Sequence, residues 1–170
     1  RKYLAPGLFG PCGYGLPSVV GAKIGRPDVP VVGFSGDGAF GIAVNELTAI
    51  GREEWPAVTQ IVFRNYQWGA EKRNSTLWYD DNFVGTELDT QVSYAGIAKA
   101  CGLQGVIAKT MDELTEALHT AIKDQMENGK TTLIEAMINQ ELGEPFRRDA
   151  MKKPVAVAGV SASDMREQVA

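Results

Sequence analysis

The sequence predicts a doubly wound, mainly parallel α/β sheet with helices on both faces. Three observations carry that expectation. Short apolar runs at 31–35, 59–63 and 131–138 have the length and character of buried parallel strands, and helical patterns lie between them. Gly36-Asp37-Gly38 stands where the first run meets a helix, the edge at which open α/β sheets bind ligands. The 170 residues, 44% hydrophobic and 22% charged, suit one α/β domain with a sizeable core.

The chain opens without a Met, and Arg1-Lys2-Tyr3-Leu4 leads straight into a Gly/Pro-rich loop. It is therefore expected to be the C-terminal piece of a longer polypeptide. Residues 7–25 are dense in glycine, which lets a backbone approach a flat ligand, and a helix is predicted from near Pro17. After the strand at 31–35, Gly36-Asp37-Gly38 makes a tight turn into a helix predicted from near Ala39. The free N–H groups and positive dipole end of that helix are a site for phosphate. An acidic side chain beside phosphate requires a cation between them, and a hard divalent ion resolves the repulsion.

Ala43, Leu47 and Ile50 then fall on one helical face as a packing stripe, with Glu46 read as a solvated or capping residue. Asn65 lies just beyond the strand at 59–63, so in a parallel sheet it shares an edge with Asp37. One carboxylate, one amide oxygen and a turn carbonyl make a partial oxygen cage, which Mg2+ completes with diphosphate oxygens and water. Residues 70–90 are expected as a loop with short helical pieces. Trp68, Trp78, Tyr79 and Phe83 either help it close over a site or pack it down.

A short helix is predicted at 94–101 and a strand at 105–108. Thr110-Met111-Asp112-Glu113 has the form of a capping box, opening a helix with Leu114, Ala117, Leu118, Ala121, Ile122 and Met126 at helical spacing. His119, the single histidine, falls on its polar side. Asn128-Gly129 closes the helix, and 131–138 forms the last strand. From Asn139 the chain is charged and without period. Residues 139–170 are read as a C-terminal tail, draped or disordered, or else as a segment whose Arg147, Arg148, Lys152 and Lys153 meet a neighbouring subunit or an anionic substrate.

Several classes are excluded. A net charge of −4 leaves no nucleic-acid or membrane footprint at chain level. No apolar run approaches a membrane span, and no signal-peptide pattern is present. Cys12 and Cys101 are too few and too far apart for a disulfide scaffold or a zinc site, so a cytoplasmic setting is expected.

A lone Gly-Asp-Gly is an ordinary turn. Here, however, Gly36-Asp37-Gly38 is followed, after the 26 residues 39–64, by Asn65, with strands on both sides. That pattern resembles the motif of thiamine diphosphate (ThDP) enzymes. Gly10-Pro11-Cys12-Gly13-Tyr14-Gly15-Leu16-Pro17 likewise resembles a segment of the acetolactate synthase-like members of that family. The resemblance spans residues 1–138, read as the cofactor's diphosphate-binding domain lacking its first strand and helix. It implies that the Gly10 carbonyl and the Cys12 N–H serve the cofactor's pyrimidine, with Cys12 standing where a larger apolar residue is usual. It also implies that Gly36, Asp37, Gly38, Ala39 and Gly69 lie around the diphosphate, and that Asp37, Asn65 and the Gln67 carbonyl ligate Mg2+. The activating glutamate of the family comes from another domain, so no catalytic residue is expected here, Glu46 included.

Tyr66-Gln67-Trp68-Gly69-Ala70-Glu71-Lys72 and the stretch from Glu141 to Pro154 are similar to an acetyl-transferring branch of the family. That similarity implies conversion of two small anions, sulfoacetaldehyde and phosphate, to acetyl phosphate and sulfite, as in taurine breakdown. Arg64, Lys72 and Arg73, with Arg147 and Arg148, are the cations available to such substrates. The missing N-terminal domains of the same polypeptide and a further copy of the chain, as a homo-oligomer, are the implied partners. An acetolactate synthase or 2-oxo acid decarboxylase would share every cofactor residue. The small subunit of a two-chain decarboxylase and a non-catalytic binding module are also compatible with this sequence.

Overall fold

A computed structural model describes residues 2–52 and 54–142; Arg147, Arg148, Lys152 and Lys153 lie outside the described residues. Among the described residues four strands form one sheet: β1 (Val32–Gly36), β2 (Thr59–Arg64), β3 (Gln104–Ala108) and β4 (Thr132–Met137). Their order is β1-β2-β4-β3, and every neighbouring pair is parallel. The two central strands, β2 and β4, are buried along nearly their whole length, as expected of strands covered on both faces.

Helices α1 (Gly15–Gly25), α2 (Asp37–Ile42), α3 (Leu47–Ile50) and α5 (Tyr94–Ala100) supply one core together with Val62 and Leu133 of the sheet. Helix α6 (Met111–Glu127) supplies the other, where Ala121 meets Ile61, Ile134 and Ala136. Residues that alternate along β2 and β4 thus divide between two cores, and the sheet is doubly wound. No helix among the described residues is long and apolar enough to cross a membrane.

Several elements differ from their sequence expectation in ways that have physical causes. The stripe Ala43, Leu47 and Ile50 is buried, but the helix breaks at Ala43, where ψ is 15°. The break follows Gly41, a weak helix former, and Val44–Glu46 continues as a 3-10 turn with Glu46 exposed. The residues expected as a loop with short helical pieces begin with one ten-residue helix, α4 (Gly69–Trp78), longer than expected because Ala70, Glu71, Lys72 and Arg73 are good helix formers.

On α6 the capping box forms as predicted: Thr110 accepts from the Glu113 N–H, and Glu113 accepts from the Thr110 N–H. The apolar stripe stops short, since Met126 is exposed. Gln125 takes the buried position at that turn. It accepts from the Val31 N–H at 2.7 Å and donates to the Val31 carbonyl at 2.9 Å and to Thr59 Oγ1 at 3.0 Å. One side chain therefore ties α6 to the start of β1 and β2.

Glycine sets how closely α5 approaches the sheet. A Cβ on Gly105 would sit 2.1 Å from the Ala95 carbonyl oxygen, a backbone atom that cannot rotate away. Gly21, in the middle of α1, has nothing within 4 Å. We expect Gly105→Ala to force α5 off β3 and to destabilise by about 1–3 kcal/mol. Gly21→Ala should instead stabilise by about 0.5–1 kcal/mol. Urea-unfolding midpoints of the two variants should move in opposite directions.

Candidate functional site

Strands β1 and β2 end side by side, with Gly36 opposite Phe63. The chain turns at Gly36, the N-cap of α2, so Asp37 is already the first helical residue, two positions earlier than the sequence predicts. Its side chain is buried, and an unpaired buried carboxylate would be prohibitively costly. Four donors resolve this. Oδ2 accepts from Arg64 Nη1 at 3.2 Å, from the Asn65 N–H at 3.1 Å and from the Tyr66 N–H at 2.7 Å. Oδ1 accepts from the Gly38 N–H at 3.0 Å. The sheet edge thus brings Asp37 and Asn65 together.

Among the described residues Arg64 is the largest fully buried side chain, and its position corrects the view of it as a cation available to substrate. Besides Asp37, its Nη2 donates to the carbonyls of Asp89 at 2.6 Å and Val92 at 2.9 Å. Its Nε lies 3.5 Å from Glu135 Oε1, an ion pair. The guanidinium carbon sits 4.2 Å from the Tyr66 ring centroid and 4.9 Å from that of Tyr94. Glu135 Oε2 in turn accepts from Ser93 Oγ at 2.8 Å and the Ala95 N–H at 3.0 Å. The Tyr94 hydroxyl donates to the Asp37 carbonyl at 3.1 Å, and burial pushes its pKa up. Lys72, also considered for anions, is paired with Glu87.

The segment after β2 is shaped by the same carboxylate. Tyr66 adopts φ 61°, the left-handed region, held there by its N–H bond to Asp37 and by its carbonyl accepting from the Leu88 N–H at 2.8 Å. Such strain concentrates where a structure over-determines a functional loop. Asn65 Oδ1 accepts from the Gln67 N–H at 3.3 Å. Gln67 is buried, and its Nε2 donates to the Gln140 carbonyl at 2.8 Å, while its Oε1 has no partner. A Cβ on Gly69 would lie 3.9 Å from both Asn65 Nδ2 and Gln67 Nε2.

The two glycines of the turn differ in purpose. A Cβ on Gly38 would strike the Trp68 ring at 2.8 Å, so this glycine is required by the chain's own packing. Gly36 opens onto space with nothing within 4 Å, and Ala39 follows in the first turn of α2. Gly10 and Cys12 lie on an exposed loop that precedes α1, and no bond of the Asp37 cluster reaches them. The chain just after the loop nonetheless runs beside the end of β1, because a Cβ on Gly15 would lie 3.6 Å from the Ser35 side chain.

Sequence reasoning missed Arg64 in its buried role, Glu135, Tyr94 and the turn at Tyr66. One signal was present: Glu135 interrupts the otherwise apolar Leu133-Ile134-Glu135-Ala136, and a carboxylate in a central strand needs a partner. The donor set fits a hard divalent ion. Asp37 Oδ1 and Asn65 Oδ1 are oxygens with spare acceptor capacity, and an orphaned amide oxygen on Gln67 marks a polar cradle beside them.

A family model described as "Thiamine pyrophosphate enzyme, C-terminal TPP binding domain" matches residues 1–136. The chain belongs to that family, and thiamine diphosphate is its cofactor. Among individual proteins, it is similar to the sulfoacetaldehyde acetyltransferase of Roseovarius nubinhibens, 87% identical over 168 residues, which cover 99% of this chain and 28% of that protein. The sulfoacetaldehyde acetyltransferase of Rhodobacter capsulatus is 79% identical with the same coverage, 99% and 28%. The chain thus spans little more than a quarter of these curated relatives. Among solved structures, the thiamine diphosphate-dependent 4-hydroxybenzoylformate decarboxylase of Rhodococcus jostii RHA1 superposes with a TM-score of 0.68 at 27% identity, covering 79% of this chain and 24% of that one.

The Tyr94 hydroxyl contributes one buried hydrogen bond to the backbone of Asp37. Tyr94→Phe keeps the ring against Phe40 and Arg64, so it should cost only about 1 kcal/mol of stability, measured by urea unfolding.

Proposed function

We propose that this chain is the cofactor-binding part of a ThDP- and Mg2+-dependent acetyltransferase that converts sulfoacetaldehyde and phosphate to acetyl phosphate and sulfite, in the breakdown of taurine and related sulfonates. The observation that carries this proposal is the 87% identity across 99% of the chain. The distribution of buried charge agrees with an anchoring role.

Asp37 and Asn65 present oxygens at one sheet edge, and with the Gln67 carbonyl they would hold Mg2+. Gly36, with open space at its Cα, would let the diphosphate come close, with Gly38, Ala39 and Gly69 around it. Gly10 and Cys12 would line the pyrimidine side. When bound, the cofactor supplies the electron sink that makes carbon–sulfur cleavage and acyl transfer to phosphate feasible. This chain's residues bind and orient it, and the group that activates it belongs to a part of the polypeptide outside this chain. The setting is cytoplasmic and the working form a homo-oligomer.

The test uses the full-length enzyme. Given sulfoacetaldehyde and phosphate, it should release sulfite and acetyl phosphate in equal amounts. Consumption of pyruvate to acetolactate, with sulfoacetaldehyde left untouched, would identify an acetolactate synthase instead. Asp37→Ala should abolish retention of ThDP through desalting, and Asn65→Ala should weaken it strongly. Normal ThDP content in Asp37→Ala would remove the metal assignment.

A further inference from the structure

Asp37 has two oxygens in unequal surroundings. Oδ2 is taken by three donors, the Arg64 guanidinium and the Asn65 and Tyr66 amides. Oδ1 meets only the amide of the following residue, Gly38. The guanidinium is fixed by the carbonyls of Asp89 and Val92, which accept from Nη2, and by the ion pair that Glu135 makes with its Nε at 3.5 Å. Tyr66 and Tyr94 both lie within 5 Å of its carbon, at 4.2 and 4.9 Å.

We infer that Arg64 is a positioning residue for the cofactor's cation: it fixes the Asp37 carboxylate by Oδ2 so that Oδ1 alone is offered to the divalent ion. The inference rests on the cofactor reading above and goes beyond it in assigning Arg64. A planar fork is needed for this task. Arginine reaches Asp37, Glu135 and two carbonyls at once from one rigid group, whereas a lysine ammonium is a single point that satisfies only part of the set. Arginine also carries the same charge as lysine. The Arg64→Lys change therefore leaves the repulsion between side chain and metal in place and removes the geometry.

The experiment measures Mn2+ binding to the full-length enzyme with ThDP present, by the electron paramagnetic resonance signal of free Mn2+. Arg64→Lys should weaken Mn2+ binding by about tenfold or more, as substitutions behind a metal ligand do. Gln125→Ala serves as the comparison, since it removes buried bonds to Val31 and Thr59 at the starts of β1 and β2, away from the Asp37 cluster. It should lower the melting temperature and leave Mn2+ affinity at the wild-type value.

Wild-type Mn2+ affinity in Arg64→Lys overturns the inference, as does an equal loss in Gln125→Ala, which would mark a general loosening of the fold. A wild-type measurement covers the case in which Arg64→Lys does not fold. Anomalous scattering from Mn2+ in wild-type crystals should place the ion on Asp37 Oδ1 alone, and contact with Oδ2 would refute the assignment. Wild-type enzyme that binds ThDP but no Mn2+ overturns the metal reading itself and this inference with it.

Discussion

A buried carboxylate with a buried counter-ion governs the architecture of this chain. Asp37 is 1% exposed and Arg64 is 1% exposed, so neither charge is relieved by water. Breaking such a pair by removing one partner typically costs about 3–5 kcal/mol, because the other charge is left uncompensated. The cluster therefore ties together every element it touches. Asp37 begins α2 at the end of β1, Arg64 ends β2, Glu135 lies within β4, and Ser93 and Ala95 open α5. The bonds to Asp89 and Val92 extend the same tie to the loop before α5. Hydrophobic burial builds the two cores, but the polar cluster fixes which ends of the strands lie together.

That division explains what could be read from the sequence. Strand positions follow from apolar runs, and α6 follows from its spacing and capping box, all of them local signals. The adjacency of Asp37 and Asn65 was legible too, because each directly follows one of two strands that pair in parallel. Arg64 was not. An arginine at the end of a strand looks the same in sequence whether it points to water or into the core. Its burial depends on Asp37, 27 residues earlier, and on Glu135 far downstream. Gln125 is similar: a polar residue one turn after Ala121 breaks the stripe, and only the open backbone of Val31 explains it.

The glycines carry a related lesson. A glycine-rich stretch invites the interpretation that each one admits a ligand. Gly38 is instead required by the Trp68 ring, and Gly105 by the backbone of α5, both internal contacts. Gly36 alone of the Gly-Asp-Gly pair faces open space. A close internal contact and open space thus fall to the two glycines of one turn, a distinction that composition and spacing do not reveal.

Charge balance links the cluster to the ligand. Asp37 and Glu135 contribute two negative charges and Arg64 one positive, leaving a single net negative charge in a place water does not reach. Such a site does not accept a diphosphate by itself, since like charges at short range in a poorly screened setting repel strongly. A divalent cation reverses the sign of the site and turns repulsion into attraction. On the proposed reading, metal and cofactor then bind as one unit, each needing the other.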